Sequence, residues 1–350
     1  MTPALQRLGG LPPVLYAHAF PRWKWPVVRQ CFPQCQIRFI QAGDSIPVGA
    51  CLLMWGRAEV PSELQESTRV LRLEDGFLRS VGLGAELVKP LSWVVDGRGI
   101  YYDATTPSDL EHILANCVFD EALCARAARL RERIVATRLS KYNVGGQQWQ
   151  RPVQAGRVIL VPGQVESDAS LAYGAPGERS NMGLLRSVRA ENPDAYVIYK
   201  PHPDVTARLR KVGANEEMAR DWCDEVIADV SMGDLLPQVD EVHVLTSLSG
   251  FEALMHRKQV TCYGQPFYSG WGLTTDRLPN PRRMRPLSLD ALVAGTLIEY
   301  PLYLRRDGHG HMTAEEAVDS LQQWRSARGT KLRWWQPIVR VFLRWVIGVR

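Results

Sequence analysis

Short apolar runs that alternate with polar, turn-forming segments constrain this chain more than any other feature. Runs of strand length recur through the first 116 residues, and several are separated by amphipathic segments and turn residues. Alternation of this kind is typical of βα units on a largely parallel sheet. The runs in this part are Val14–Tyr16, Ile37–Ile40, Cys51–Trp55, Val70–Leu73 and Trp93–Val95.

The alternation starts again after a helix predicted at 121–142 and a stretch rich in glycine and glutamine, where we place a domain boundary. Thr313 and Glu316 have the spacing of a capping box, which predicts a final helix to about Arg328. We therefore predict an α/β protein with two Rossmann-like domains facing a central cleft, at 1–150 and 151–312, followed by a returning helix and tail at 313–350. The second set of strands is predicted at Val158–Val161, Tyr196–Tyr199, Val226–Ala228, Val242–Leu245 and Val260–Tyr263.

The net charge of +5 comes from the C-terminal end of the chain. Seven basic residues and no acidic residue lie between Trp324 and Arg350, and the rest carries 35 basic against 37 acidic residues. A nearly neutral body argues against general nucleic-acid binding, which needs a basic patch on the folded domain.

The seven cysteines are scattered, and no CxxC pair recurs. This spacing suggests neither a zinc site nor a disulfide framework, so we expect free thiols in a reducing compartment. The first residues lack a long apolar core, and we expect no signal peptide.

The stretch 241–276 is predicted to form a strand, a Gly/Ser turn, a helix, a further strand and an aromatic loop. Free N–H groups at such a helix start bind phosphate well. Two alternatives need no ligand: Ser249 and Glu252 could form a capping box, and Tyr268 and Trp271 could be core plugs instead of stacking surfaces. The turn consists of Thr246, Ser247, Ser249 and Gly250.

Three other polar segments follow predicted strands and could meet this turn at the carboxyl ends of the sheets. A carboxylate from each domain could flank a sugar carbon. Each segment also has a structural alternative, namely a capped turn for the first, an N-cap for Asp168 and a satisfied histidine for His202. The segments contain Glu74, Asp75 and Arg79; Gln164, Glu166 and Asp168; and Lys200 and His202.

No Walker A, HExxH or GxSxG sequence occurs, and no loop DxD suggests a metal-bridged sugar nucleotide. We therefore expect no metal, and we expect protein cations and helix dipoles to stabilise a departing phosphate.

The ordered motifs RLEDGFLRSVGLG, VILVPGQVESDASLAYG, YKPHPD and TSLSGFEALMHRKQVTCYGQPFYSGWGLTTD resemble the KpsC-type capsule biosynthesis family over about residues 70–280. The resemblance implies a metal-independent, retaining β-Kdo transferase of GT-B-like fold that uses CMP-Kdo, where Kdo is 3-deoxy-D-manno-oct-2-ulosonic acid. Tandem members carry two such modules, whereas this length suits one, and VPGQVESDAS resembles the second.

The resemblance also implies roles for individual residues. Asp168 resembles the nucleophile, Glu74 the acid/base for the acceptor hydroxyl, and His202 the group that assists CMP departure. The acceptor side is then the first domain and the CMP-sugar side the second. The expected substrate contacts are Lys200, Ser247, Ser249, Gly250, Glu252, Gln164, Tyr268 and Arg79, the last as partner of the Kdo carboxylate.

We accordingly expect a β-Kdo transferase of capsule or surface polysaccharide biosynthesis, acting on a β-Kdo-terminated glycan or glycolipid. One rival is a non-catalytic module that binds sugar or CMP and assists capsule export. Another is a GT-B transferase for a different nucleotide sugar, such as CMP-sialic acid or a UDP-sugar. Thermal shifts with CMP, UDP and GDP would separate this last alternative, and loss of CMP release in Asp168→Ala would separate the non-catalytic module.

The last 20 residues predict a helix lying on a membrane surface. Ile338, Val341, Phe342 and Trp345 share one helical face, and arginines lie elsewhere on a segment too short and charged to span a bilayer. The alternative is a final helix packed on the body. We expect the protein in the cytoplasm, peripheral at the inner membrane.

Deleting residues 331–350 should release the protein from membranes and leave its activity on water-soluble acceptors intact. The measurement is partition between vesicles and supernatant for the full chain and the truncated chain. Unchanged partition would contradict a surface anchor.

Overall fold

The computed structural model describes residues 2–41, 43–62, 68–82 and 88–328, and the predicted membrane helix at 331–350 lies outside them. Two sheets with helices packed around them confirm the predicted mixed α/β fold. Within the described ranges, no helix is both long enough and apolar enough to cross a bilayer.

The first sheet has seven strands in the order β13-β12-β5-β4-β3-β1-β2. Neighbours among β1 to β4 pair in parallel, as predicted, whereas β5, β12 and β13 join in antiparallel fashion. The strands are β1 Val14–His18, β2 Gln36–Phe39, β3 Cys51–Trp55, β4 Arg69–Asp75, β5 Ser92–Asp96, β12 Pro301–Leu304 and β13 His311–Met312.

The second sheet has six strands, all parallel, in the order β11-β10-β9-β6-β7-β8. Helices cover both faces of such a sheet, so its central strands are continuous apolar runs, and every residue of β6 is buried. The strands are β6 Val158–Pro162, β7 Tyr196–Lys200, β8 Glu225–Val226, β9 Glu241–Val244, β10 Gln259–Cys262 and β11 Thr275–Asp276.

Local sequence sets most of the helix ends. At the last helix, Glu316 N donates to Thr313 Oγ1 at 3.2 Å and Thr313 N donates to Glu316 Oε2 at 2.7 Å, so the predicted capping box is confirmed. The helices are α1 Pro3–Arg7, α2 Trp25–Cys31, α3 Asp109–Asn116, α4 Glu121–Ala136, α5 Ala169–Gly174, α6 Asn181–Glu191, α7 Pro203–Thr206, α8 Met232–Leu235, α9 Leu248–Met255, α10 Leu289–Val293 and α11 Ala314–Arg328.

One helix prediction needs correction. The helix predicted at 121–142 ends at Ala136, because Arg138 adopts a left-handed conformation (φ 53°) that a continuing α-helix excludes. The residues released from α4 instead form an irregular segment of turns and bends between the two sheets. Further along the chain, a short 3₁₀ helix forms at Glu216–Asp221.

The chain returns to the first sheet before it reaches residue 312. Strands β12 and β13 lie within the predicted second domain, 151–312, yet β12 pairs with β5 and its Leu302 and Leu304 join the hydrophobic core of the first sheet. The second sheet is therefore inserted between strands of the first.

Aromatic packing and polar contacts hold the two units together, among them the buried ion pair of Arg283 Nε with Glu111 Oε2 at 3.1 Å. Phe77, just after β4, lies with its ring centroid 4.9 Å from that of Phe267 and 6.3 Å from that of Phe251 in α9. Lys141 N donates to Glu252 Oε1 at 2.7 Å, and Glu252 is only 7% exposed. Burial raises the pKa of Glu252 to about 7, although the Lys141 N–H opposes this rise.

Glu252→Gln should alter the pH dependence of stability. The pKa of Glu252 is about 7 in the folded state and about 4.5 for an exposed glutamate. Between these values the folded protein binds a proton that the unfolded chain releases, so the free energy of unfolding falls as pH rises. Glutamine keeps an acceptor for Lys141 N but does not titrate. Across this window the wild type should lose up to about 3 kcal/mol relative to the variant.

Urea denaturation at several pH values measures this difference. Glu132→Gln, an exposed change on α4, is the matched control and should keep the wild-type slope. Equal slopes for the wild type and Glu252→Gln would contradict the assignment.

Candidate active site

The segment that follows α4 brings loops of the two sheets together. Ser80 N donates to Lys141 O at 3.2 Å and Gly82 N to Tyr142 O at 2.9 Å, so the segment is bound to the loop after β4. On its other side the Tyr142 ring lies 6.0 Å from the ring of His202. The strand ends of both sheets thus meet at residues 140–143.

Glu74 and Asp75 are the last two residues of β4, which corrects their prediction as a loop and removes the capped-turn alternative. Asp75 binds Lys24 Nζ at 3.1 Å and Arg79 Nε at 2.8 Å. Burial would raise its pKa, but the charges of Arg79 and Lys24 outweigh burial and hold the pKa at about 2. Burial, aided by the charge of Asp75, raises the pKa of Glu74 to about 7. The pair therefore consists of a permanent anion and a group poised for proton transfer.

Lys24 keeps Asp75 ionised and was not found from the sequence. It is 4% exposed, and its ammonium lies 3.2 Å from the centroid of the Trp55 ring and 4.9 Å from that of Trp93. Aromatic faces and Asp75 replace the water that burial removes from the ammonium. The residues come from separate elements, and no sequence spacing links them.

Asp168 begins α5 at the N-cap position, but its side chain makes no capping hydrogen bond. It is half-buried, and no N–H or O–H group in the described part of the chain donates to its carboxylate. Burial raises its pKa, and the charges of Lys141 and Arg210 oppose that rise. Asp168 therefore occupies the N-cap position of the structural alternative without making the capping hydrogen bond, and its carboxylate is unengaged.

One lysine is the common neighbour of the three candidate catalytic groups. The positive charge of Lys141 lowers the pKa of Glu74, Asp168 and His202. At the two carboxylates it opposes the rise caused by burial, whereas at His202 it adds to the larger lowering caused by burial. Lys141 is therefore a cation whose charge acts on both carboxylates and on the imidazole. No sequence signal points to Lys141, since it lies inside the helix predicted at 121–142.

His202 is held as a neutral ring with a defined tautomer. Its Nδ1 accepts a hydrogen bond from Asp204 N at 3.1 Å, so the proton of the neutral ring lies on Nε2. Burial, followed by the charges of Lys141, Arg210 and Lys200, lowers its pKa to about 3. His202 can therefore donate a hydrogen bond without carrying a charge. The N-cap contact to α7 is real, and it orients the ring.

Lys200 is the last residue of β7 and is 8% exposed. Its Nζ donates to Ala228 O at 3.2 Å, and burial lowers its pKa to about 8. Lys200 is therefore a partly desolvated cation two residues before His202.

The Gly/Ser turn is capped by a different serine from the one considered above. Ser247 Oγ accepts from Ser249 N at 3.3 Å at the start of α9, while Glu252 binds Lys141 N. The predicted Ser249–Glu252 capping box is therefore wrong. Ser247 and Ser249 are both half-buried at the helix start, where a phosphate would meet the positive end of the helix dipole, although Ser249 N and Gly250 N already donate to Ser247.

The aromatic loop is a core plug, so the predicted direct contact of Tyr268 with substrate is corrected. Tyr268 and Trp271 are fully buried, and the Tyr268 hydroxyl donates to Ser247 O. A Cβ atom at Gly250 would collide with that hydroxyl, which explains the glycine. Tyr268 and Gly250 thus fix the turn from beneath.

Gln164 and Arg79 also brace the site from within. Gln164 Nε2 donates to Thr246 Oγ1 at 3.0 Å and its Oε1 accepts from Thr246 N at 2.9 Å, so the amide ties β6 to the turn. Arg79 is 3% exposed and is paired with Asp75. Neither side chain is free to leave these partners without breaking a buried contact.

All seven cysteines are free thiols, as predicted. Among the described residues, no group of three or more His, Cys, Asp or Glu side chains is placed to hold a metal ion.

Comparison with known proteins places this arrangement in a family. A model of the family described as capsule polysaccharide biosynthesis protein matches residues 53–303. The capsule polysaccharide modification protein LipA of Neisseria meningitidis serogroup B is 45% identical over 317 residues, covering 88% of this chain and 45% of LipA. The lipopolysaccharide-processing protein LpsZ of Rhizobium meliloti is 40% identical over 335 residues, covering 91% of this chain and 76% of LpsZ. The chain spans about half the length of LipA.

Two solved structures share the fold. The Thermosulfurimonas dismutans KpsC β-Kdo 2,7 transferase matches with a TM-score of 0.73 and 39% identity, over 88% of this chain and 98% of that one. The β-Kdo 2,4 transferase of the same KpsC matches with a TM-score of 0.75 and 32% identity, over 87% and 97%. The family model and these relatives confirm the resemblance drawn from the motifs: the chain belongs to the KpsC-type family of capsule polysaccharide biosynthesis proteins.

Proposed function

We propose that this protein is a retaining β-Kdo transferase, which moves Kdo from CMP-Kdo to a glycan or glycolipid in capsule or other surface polysaccharide biosynthesis. One observation carries the proposal: Asp168 presents an unengaged carboxylate at the start of α5, and the charge of Lys141 acts on that carboxylate and on Glu74. The likeness to solved β-Kdo transferases over nearly nine-tenths of the chain supports the same chemistry.

In the first displacement, a carboxylate oxygen of Asp168 attacks the anomeric carbon of Kdo. The bond from that carbon to the phosphate oxygen breaks, CMP leaves with the electron pair, and a glycosyl ester forms on Asp168. His202 Nε2–H donates a hydrogen bond to a phosphate oxygen and keeps its proton, because its low pKa holds the ring neutral.

In the second displacement, Glu74 takes the proton of the acceptor hydroxyl as its oxygen attacks the same carbon. The ester bond breaks, and Asp168 is restored as a carboxylate. Two inversions give overall retention. A pKa of about 7 suits Glu74 to this step, because a base is most effective when its pKa lies near the working pH.

Protein cations stabilise the anionic donor, and the mechanism needs no metal. In this proposal Lys200 and the start of α9, with Ser247 and Ser249, bind the phosphate. Lys141 replaces Arg79 as the partner for the Kdo carboxylate, since Arg79 is bound to Asp75.

The acceptor and the cellular location are part of the same proposal. Relatives named for capsule polysaccharide modification and lipopolysaccharide processing support a glycan or glycolipid acceptor, and we propose that this acceptor ends in β-Kdo. A glycolipid at the inner leaflet would meet a cytoplasmic enzyme whose basic, Trp-containing end binds that surface.

Asp168→Ala and Asp168→Asn should each reduce CMP release from CMP-Kdo, with acceptor present, by at least about 1,000-fold while CMP binding is retained. The nucleophile is lost, but the groups that meet the phosphate remain. Intact-mass spectrometry of the wild type with CMP-Kdo alone should show one covalently attached Kdo, absent from both variants.

Asp194→Ala, which removes an exposed carboxylate at a surface turn, is the matched control. Wild-type turnover by a folded Asp168→Ala protein would contradict the double displacement.

The pH profile of kcat/KM should report the titration of Glu74. Because the base must be ionised, kcat/KM should rise with pH through about 7 and then level off. Glu74→Gln should lower the rate by about 100- to 10,000-fold and remove this limb. Asp75→Asn should move the limb to lower pH, because the negative charge that disfavours ionised Glu74 is gone. A limb that stays in place in Asp75→Asn would show that another group titrates.

A further inference from the structure

The motif VPGQVESDAS contains a second carboxylate that the proposed mechanism does not use. Glu166, two residues before Asp168, accepts hydrogen bonds from Asn181 N at 2.8 Å and from Ala214 N at 3.0 Å. Ala214 belongs to the loop of residues 207–215, which follows α7. Glu166 therefore ties this loop to the segment that carries Asp168.

A second glutamate holds the same end of the loop. Glu216 Oε1 accepts from Gly213 N at 3.1 Å and from Asn181 Nδ2 at 2.7 Å. A Cβ atom at Gly213 would lie 2.5 Å from Glu216 Oε1 and 2.7 Å from Glu166 Cδ. A side chain at Gly213 would have to displace the two carboxylates from these hydrogen bonds, so glycine lets both glutamates hold the loop closely at this point.

The other end of the loop is bound beside His202. Leu209 N and Arg210 N donate to Asp204 O at 2.8 and 3.1 Å, and Asp204 N donates to His202 Nδ1. Arg210 therefore lies between two hydrogen-bonded ends of the loop, one beside His202 and one near Asp168. Its side chain is exposed, and its guanidinium makes no hydrogen bond or ion pair with residues that the structure describes.

The charge of Arg210 acts on the candidate active site. Burial raises the pKa of Asp168 and of Asp204, and Arg210 opposes that rise at both. Asp204 is 6% exposed, and its Oδ1 has no hydrogen-bond partner in the described ranges. A buried oxygen without a hydrogen-bond partner lowers the stability of the folded protein, and a hydroxyl of a bound ligand could supply the missing donor. A cation free to bind and an unmet acceptor therefore lie together beside His202.

We propose that Arg210 binds the phosphate of the nucleotide-sugar donor and that Glu166 is the positioning residue that holds its loop. This inference rests on the proposed function. A guanidinium can bind two phosphate oxygens at once through parallel N–H groups, which a lysine cannot do. With His202 Nε2–H on the same group, the leaving phosphate would be held from two sides.

The test is isothermal titration of CMP and of cytidine, which lacks the phosphate, into four proteins. Arg210→Ala should weaken CMP binding by about 10- to 100-fold and leave cytidine binding unchanged, because only the charge-assisted phosphate contact is lost. Arg210→Lys should fall between the two. Lys211→Ala, which removes the adjacent exposed cation, should behave as the wild type.

Glu166→Gln should weaken CMP binding in the wild-type background and add little in the Arg210→Ala background, because both changes remove one contact. A general structural effect would instead weaken cytidine as well. Wild-type CMP affinity in a folded Arg210→Ala protein would overturn the inference. If Arg210→Ala kept wild-type CMP affinity but had a raised KM for CMP-Kdo, Arg210 would instead bind the sugar carboxylate, and the inference would again be overturned. If the wild type neither bound CMP nor transferred Kdo, the proposed function itself would fail.

Discussion

The hydrogen bond from Lys141 N to the buried carboxylate of Glu252 is the contact on which the site depends. It fixes residues 140–143 against the second unit, while Ser80 and Gly82 bind the same segment to the first. The left-handed turn at Arg138 makes this possible, because it ends α4 and frees the chain to cross between the sheets. Without this crossing, Glu74 and Asp168 would have no common neighbour.

Unequal burial and pairing give neighbouring groups different chemistry. Glu74 and Asp75 are adjacent in sequence, yet two buried cations hold Asp75 as an anion, and that anion makes ionisation of Glu74 harder. His202 is kept neutral by burial among positive charges. Burial and pairing therefore give two adjacent carboxylates different protonation behaviour and keep the histidine available as a neutral hydrogen-bond donor.

The sequence predicted the features that depend on residues close together in the chain. It missed the residues whose roles depend on contacts with residues far away in the chain. The ten predicted strands are present because short apolar runs report burial directly, and Thr313 and Glu316 cap α11 because a capping box needs only its own four residues. The positions of Glu74, Asp168 and His202 followed from the rule that parallel strands end at one edge. Lys24, Lys141 and Arg210 were missed because their importance comes from contacts with residues far away along the chain. Tyr268 was misassigned because a sequence does not show whether a loop aromatic points inward.

The insertion of the second sheet within the first unit has a mechanical consequence. The chain crosses between the units twice, once after α4 and once before β12, so two segments of backbone connect them. The two connections define an axis. Rotation of one unit against the other about this axis strains neither connection, whereas rotation about a perpendicular axis would stretch both. A single proteolytic nick in one connection would leave the halves joined through the other.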